Sequence, residues 1–219
     1  MRPIAAVRSP SGAKMRDHVR MTEVSSLTGR LLVATPALAD PNFDRAVVLL
    51  LDHDEEGSLG VVLNRPTPVG VGDVLEPWAS LAGEPGVVFQ GGPVSLDSAL
   101  GVAVIPGFEG ASPSSQLRSS RGDPLGWRRV YGAIGLVDLE APPELLAAAL
   151  GSLRIFAGYA GWGPGQLEDE LTDGAWYVVE SEPGDVSSPD PGSLWRAVLR
   201  RQRSELAMVA TYPDDPSLN

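Results

Sequence analysis

Two apolar runs, AVVLLLD (46–52) and SLGVVLN (58–64), are joined by the short acidic break DHDEEG (52–57). Rich in Val and Leu and separated by a Gly-containing turn, they read as an antiparallel β-hairpin. A hairpin this early in the chain argues against a fold built only of parallel βαβ units. Every further element has to be compatible with a mixed sheet.

Other strand candidates are RLLVAT (30–35), ended by Pro36, and residues 87–90, 99–105, 129–137, 153–159 and 175–180. PALADPNF (36–43) holds two prolines and leaves too little room for a helical crossover, so it reads as a structured loop. Helices are expected at 71–81, in ELLAAALGSL after Pro142 and Pro143, near Pro164, and over 191–205. In the last of these, Leu194 and Val198, and Trp195 and Leu199, share one apolar stripe. Residues 106–126, rich in Ser, Gly and Pro, read as a surface loop. No repeat of fixed period occurs, and strands outnumber helices. These readings imply a mixed-sheet α/β domain over 27–205, with a basic leader (1–26) before it and a tail (206–219) after it. Met15 and Met21 in the leader each offer an alternative start.

No apolar run approaches the roughly 18–20 residues that span a bilayer, and none in the first 21 residues could serve as a secretory core. The chain has no cysteine, which excludes disulfides, thiolate chemistry and cysteine-ligated metals and suits the cytosol. Residues 1–20 hold five basic groups and one acid, leaving 12 basic groups and 27 acids in the rest. A body this acidic repels phosphate backbones at long range, which argues against direct nucleic-acid binding. Lys14 is the only lysine, and His18 and His53 are the only histidines; two of these three lie in the leader, so Schiff-base chemistry and multi-histidine metal sites are nearly excluded for the core.

Four stretches resemble signatures of the AlgH/YqgE family and occur in that family's order. They are GRLLVATPALADPNFDRAVVLLLDH (29–53), GVVLNRP (60–66), FQGGPV (89–94) and FAGYAGWGPGQLEDEL (156–171). With LWRAVLRR (194–201) the similarity spans roughly residues 27–203. The resemblance implies a bent, bifurcated mixed sheet forming a partial barrel with helices packed outside. It also implies the family's label of transcriptional regulator, an association without a mechanism. The basic leader and the Ser/Pro-rich stretch near 111–126 depart from the family pattern.

Candidate chemistry is sparse. His53 lies among Asp52, Asp54, Glu55 and Glu56, a patch without the alternating oxygens and closing carboxylate of a calcium loop, so no metal is expected. No G-x-S-x-G elbow marks a nucleophile, and no catalytic residue or cofactor is assigned. Asn64 and Arg65 end a strand and are able to grip a carboxylate or phosphate directionally; Arg65 could equally pair with an acid. Gly91 and Gly92 permit either a ligand or a tight turn. GYAGWGPGQ (158–166) precedes a helix and lacks the G-K-[ST] of a nucleotide loop. It either packs around Trp162 or offers Tyr159, Trp162 and Gln166 as the wall of a ligand site. One cleft formed by these three loops is the sharpest structural expectation. Arg196, Arg200, Arg201 and Arg203 form a basic patch that a helix C-terminus favours on its own. Three functions stay open: a regulatory or protein-interaction domain, a domain for a small anionic ligand, and a carboxylate-based enzyme.

Overall fold

The computed structural model describes residues 26–107, 123–203 and 205–213. The leader, apart from Ser26, and most of the 106–126 loop lie outside them. β1 (Arg30–Ala34), β2 (Val47–Asp54) and β3 (Gly57–Val62) form an antiparallel meander, with Leu31 opposite Leu49 and Leu49 opposite Val61. The early hairpin is therefore present, with Asp54 facing Gly57 across its turn and a register shift between Leu50 and Asp52.

Strand side chains alternate between faces, so continuous apolar runs serve two cores at once. Leu31, Val33, Val47, Leu49 and Leu51 enter one core, while Leu32, Val48 and Leu50 enter another. Fully burying such a side chain contributes about 1.5–3 kcal/mol, which makes a one-residue slip of β2 prohibitive.

After Asn64 come β4 (Pro66–Gly70), α1 (Val71–Val74), β5 (Val87–Gln90), β6 (Val94–Val104), β7 (Trp127–Tyr131), β8 (Ile134–Val137) and β9 (Ser152–Trp162). The chain ends with α2 (Gln166–Thr172), β10 (Trp176–Glu180), α3 (Pro183–Val186), α4 (Leu194–Arg200) and α5 (Leu206–Val209). The main path runs β10-β1-β2-β3-β9-β6-β8-β7. It branches at β9, whose end pairs with β3 and whose middle pairs in parallel with β5, and β5 carries β4. All other named pairs are antiparallel. The resulting mixed sheet curls into a half-barrel. α4 lays Leu194, Trp195, Val198 and Leu199 onto the first core, α2 lays Leu167 onto the second, and Trp78 anchors a third beneath the 3-10 turn Glu76–Leu81.

Several elements differ from the sequence reading. Residues 129–137 form the β7–β8 hairpin rather than one strand, because Gly132 turns the chain with φ of 52°. The helix expected after Pro143 stops at a 3-10 turn, Pro143–Leu145. Only eight residues separate Pro143 from β9, so little gain offsets the cost of nucleating a helix. Leu146 alone anchors that stretch fully. β4 contains Pro66 and Pro68, which hid it from propensity; it pairs on one side only, with β5. Pro77 cuts the 71–81 helix in two. Past residue 205, where a tail was expected, α5 and the buried Ala210 pack on the first core.

Candidate functional site

The ends of β2, β3 and α4 meet around Asn64. Its Oδ1 accepts the Val47 N–H at 2.9 Å, and its Nδ2 donates to the Arg45 carbonyl at 2.9 Å. These bonds hold Arg45 at φ 50°, a left-handed conformation that costs a non-glycine residue about 1–2 kcal/mol. Backbone strain of this kind persists only where surrounding contacts dictate it. The Arg45 guanidinium lies 5.0 Å from the Trp195 ring centre and donates to the Pro213 carbonyl. Trp195 is itself pinned by its indole N–H on the Ala34 carbonyl at 2.9 Å.

Arg45 opens onto a cavity of about 370 Å³ lined also by Asp44, Asn64, Arg65, Trp195 and Arg196. Arg65 donates to the Asp44 carbonyl; burial lowers its pKa and the Asp44 charge works against that shift. Arg196 reaches the Ala210 carbonyl at 2.5 Å and sits 5.8 Å from the Trp195 ring centre. A smaller cavity of about 70 Å³ shares Arg65 and adds Gln90, Gly92 and Pro93. Three guanidinium groups thus converge from positions 45, 65 and 196 of an acidic chain. Planar guanidinium forks match carboxylate and phosphate oxygens, which suits the larger cavity to an anion.

Of the residues expected to share one cleft, these cavities unite Asn64, Arg65 and Gly92. Tyr159, Trp162 and Gln166 line neither. Residues 158–162 belong to β9, and Trp162 packs in the second core, stacking on Phe43 at 6.2 Å. The Gln166 side chain accepts the Gly163 N–H and donates to Glu170. Glu168 and Asp169 in the first turn of α2 would oppose an anion there. Gly91 and Gly92 press against the β9 backbone: an added Cβ would stand 2.3 Å from the Gly158 carbonyl oxygen or 2.2 Å from the Tyr159 carbonyl.

His53 is buried. Its Nδ1 lies 2.8 Å from Ser58 Oγ, its cross-strand neighbour, and its Nε2 lies 3.6 Å from Glu168. This serine–histidine–carboxylate set borders neither cavity. Among the described residues no cluster of three or more His, Cys, Asp or Glu is arranged to hold a metal.

The basic patch on the last helix separates in space. Arg201 forms a two-point ion pair with the buried Asp185 and a 3.6 Å contact to Glu182. Burial lowers the Arg201 pKa, and the Asp185 hydrogen bond and charge outweigh it, so the net shift is upward. Arg196 turns to the cavity, whereas Arg200 and Arg203 are exposed. Arg45 and Arg196 were missed as partners of Arg65 because 151 positions separate them and no local pattern links them. Pinning of the 36–45 loop by Asn64 was the one signal, and it is visible only in three dimensions.

The AlgH-like family model (DUF179) matches residues 31–207. The chain belongs to this family. Its relatives include a UPF0301 protein of Streptomyces avermitilis, 87% identical over 199 residues, covering 91% of this chain and 98% of the relative. A UPF0301 protein of Thermobifida fusca is 49% identical over 203 residues, covering 89% and 96%. Among solved structures, protein DIP2367 of Corynebacterium diphtheriae is 32% identical with a TM-score of 0.75, covering 84% of this chain and 92% of that one. The AlgH protein of Pseudomonas aeruginosa is 25% identical with a TM-score of 0.59, covering 90% and 99%. Family membership and the half-barrel fold expected from the motifs are both shown. No helix among the described residues is long and apolar enough to cross a membrane.

Proposed function

We propose that this AlgH-like chain is a binding protein of the cytosol whose arginine-lined cavity holds a small carboxylate- or phosphate-bearing ligand. The convergence of Arg45, Arg65 and Arg196 on one cavity, in a chain of net charge −11, carries the reading. Guanidinium groups gathered around one space favour an anion there. Among described residues the lining offers one carboxylate, Asp44, and no histidine, a set better suited to holding charge than to moving protons. Ligand occupancy here would be felt by α4 and the 36–45 loop, giving a regulatory domain a means of sensing its ligand.

The test is titration of the full-length chain with inorganic phosphate and with citrate, followed by amide chemical shifts. Saturable shifts at Arg45, Asn64 and Trp195, weakened by added salt and lost in Arg65→Ala, are expected. The reading falls if neither anion shifts these residues up to roughly 10 mM, an affinity worth under about 3 kcal/mol.

A further inference from the structure

Two side-chain carboxamides, those of Asn42 and Gln90, line the smaller cavity without a partner among the described residues. The backbone at both positions is nevertheless fixed. The Asn42 N–H donates to Asp40 Oδ1 at 2.8 Å, and the Gln90 N–H donates to the Arg65 carbonyl at 2.8 Å. Gln90 lies in β5 opposite Ala157 of β9, and Asn42 lies in the loop that Asn64 pins. Arg65 is a wall shared with the larger cavity. Among the described residues it forms no ion pair, and the Asp44 carbonyl takes one of its five N–H donors.

We infer that the smaller cavity is a subsite for an uncharged hydrogen-bonding group, a carboxamide or hydroxyl, carried by the anionic ligand beside its charged head. A side-chain carboxamide presents donors and an acceptor at once, whereas a guanidinium presents donors alone. A ligand carboxamide satisfies that set, with its oxygen on Arg65 and its NH2 on the Asn42 or Gln90 oxygen. A second anionic head is disfavoured, because the smaller cavity brings no cation of its own and two charges would share Arg65 and repel. Size agrees. The cavity of about 70 Å³ exceeds the roughly 10–15 Å³ that a single water needs and takes a group of a few atoms. The ligand class narrows to acid amides, hydroxy acids and their phosphate counterparts.

This subsite rests on the larger cavity being an anion site, and the experiment separates the two. Succinamate and isocaproate share a carboxylate and the same shape, one ending in a carboxamide and the other in an isopropyl group. Both are titrated into the full-length chain and into its Gln90→Leu and Asn42→Ala variants, each first shown to melt with the native chain. Amide chemical shifts at Arg65 and Gly92 report binding. Succinamate is expected to bind the native chain on the order of tenfold more tightly, or about 1.4 kcal/mol. The subsite is supported if either variant brings the two affinities within about twofold of each other. Equal affinities in the native chain, a preference for isocaproate, binding of neither acid, or a succinamate preference that both variants keep overturns it. Inorganic phosphate, titrated alongside, tells which claim has failed. A chain that binds phosphate keeps its anion site and loses the subsite alone, and a chain that binds none of the three loses both.

Discussion

The indole N–H groups of Trp162 and Trp176 donate to the same oxygen of Glu170, at 2.9 and 2.8 Å. The rings meet edge-on with centres 6.1 Å apart, and Phe43 packs on both. One carboxylate on α2 thus ties the end of β9 to the start of β10. Removing it leaves two inward-facing donors unsatisfied, each at about 1–3 kcal/mol. Glu170→Ala is expected to cost about 3 kcal/mol, read as a lower urea midpoint by tryptophan fluorescence. Glu170→Gln keeps an acceptor oxygen and is expected to cost about 1 kcal/mol. Equal midpoints for native and Ala chains would show that the shared acceptor contributes nothing.

Asn64 offers a second test, because its amide satisfies the Val47 N–H and the Arg45 carbonyl together. Asn64→Ala strands both groups in a buried setting and is expected to cost about 2–3 kcal/mol. It should also release Arg45 from its left-handed conformation, so phosphate binding should weaken more than global stability does. Asn64→Asp keeps the acceptor and loses the donor. Thermal melts paired with phosphate titrations of both variants separate support of the loop from contact with ligand.

How far the sequence revealed this molecule depends on the range of each interaction. β1 to β3 were legible because short Val- and Leu-rich runs are a local signal and the acidic turn between the second and third is short. Asn64 and Arg65 were legible as polar groups at a strand end, and both line the larger cavity. Trp162 drew attention for its glycine-rich surroundings, yet Gly158 and Gly161 belong to a strand whose backbone lies close to Gly57, Gly91 and Gly92. Arg196 read as a helix-end cation. Its relation to Arg45 depends on the sheet's curl bringing α4 against the 36–45 loop, which no local spacing encodes.

Arg154 is an arginine buried in β9 whose Nη2 donates to the carbonyls of Glu84 and Ser188 at 3.1 and 2.8 Å. Its guanidinium lies 4.2 Å from the Phe89 ring centre, and burial pushes its pKa down to about 10. Arg154→Ala loses the stacking and strands two carbonyls, an expected cost of about 3 kcal/mol. Arg154→Met keeps apolar volume and escapes the desolvation of a charge, so it should cost less. The pH dependence follows from the direction of the shift. Above pH 10 the unfolded chain, whose arginine keeps its ordinary, higher pKa, holds more protons than the folded one. Stability conferred by this residue therefore rises with pH in that window. The gap in urea midpoint between native and Met chains should move in favour of the native chain between pH 9 and 11. A gap that moves the other way would mean that Arg154 is not desolvated as the structure implies.

Glycine substitutions distinguish close backbone packing from open surface. A Cβ on Gly92 would stand 2.2 Å from the carbonyl carbon and oxygen of Tyr159, and those atoms belong to β9, which β5 and β6 hold in register. Neither strand can yield without breaking its ladder, so Gly92→Ala is expected to cost about 3 kcal/mol or more. Gly184 lies in α3 with nothing within 4 Å of an added Cβ. There the same change reduces the freedom of the unfolded chain and favours the helix, for a gain of about 0.5–1 kcal/mol. Opposite shifts in urea midpoint are expected from one chemical change at two sites. A tolerated Gly92→Ala would mean that β9 and the 90–93 turn are farther apart than 2.2 Å requires, and the smaller cavity beside Arg65 would then be correspondingly larger.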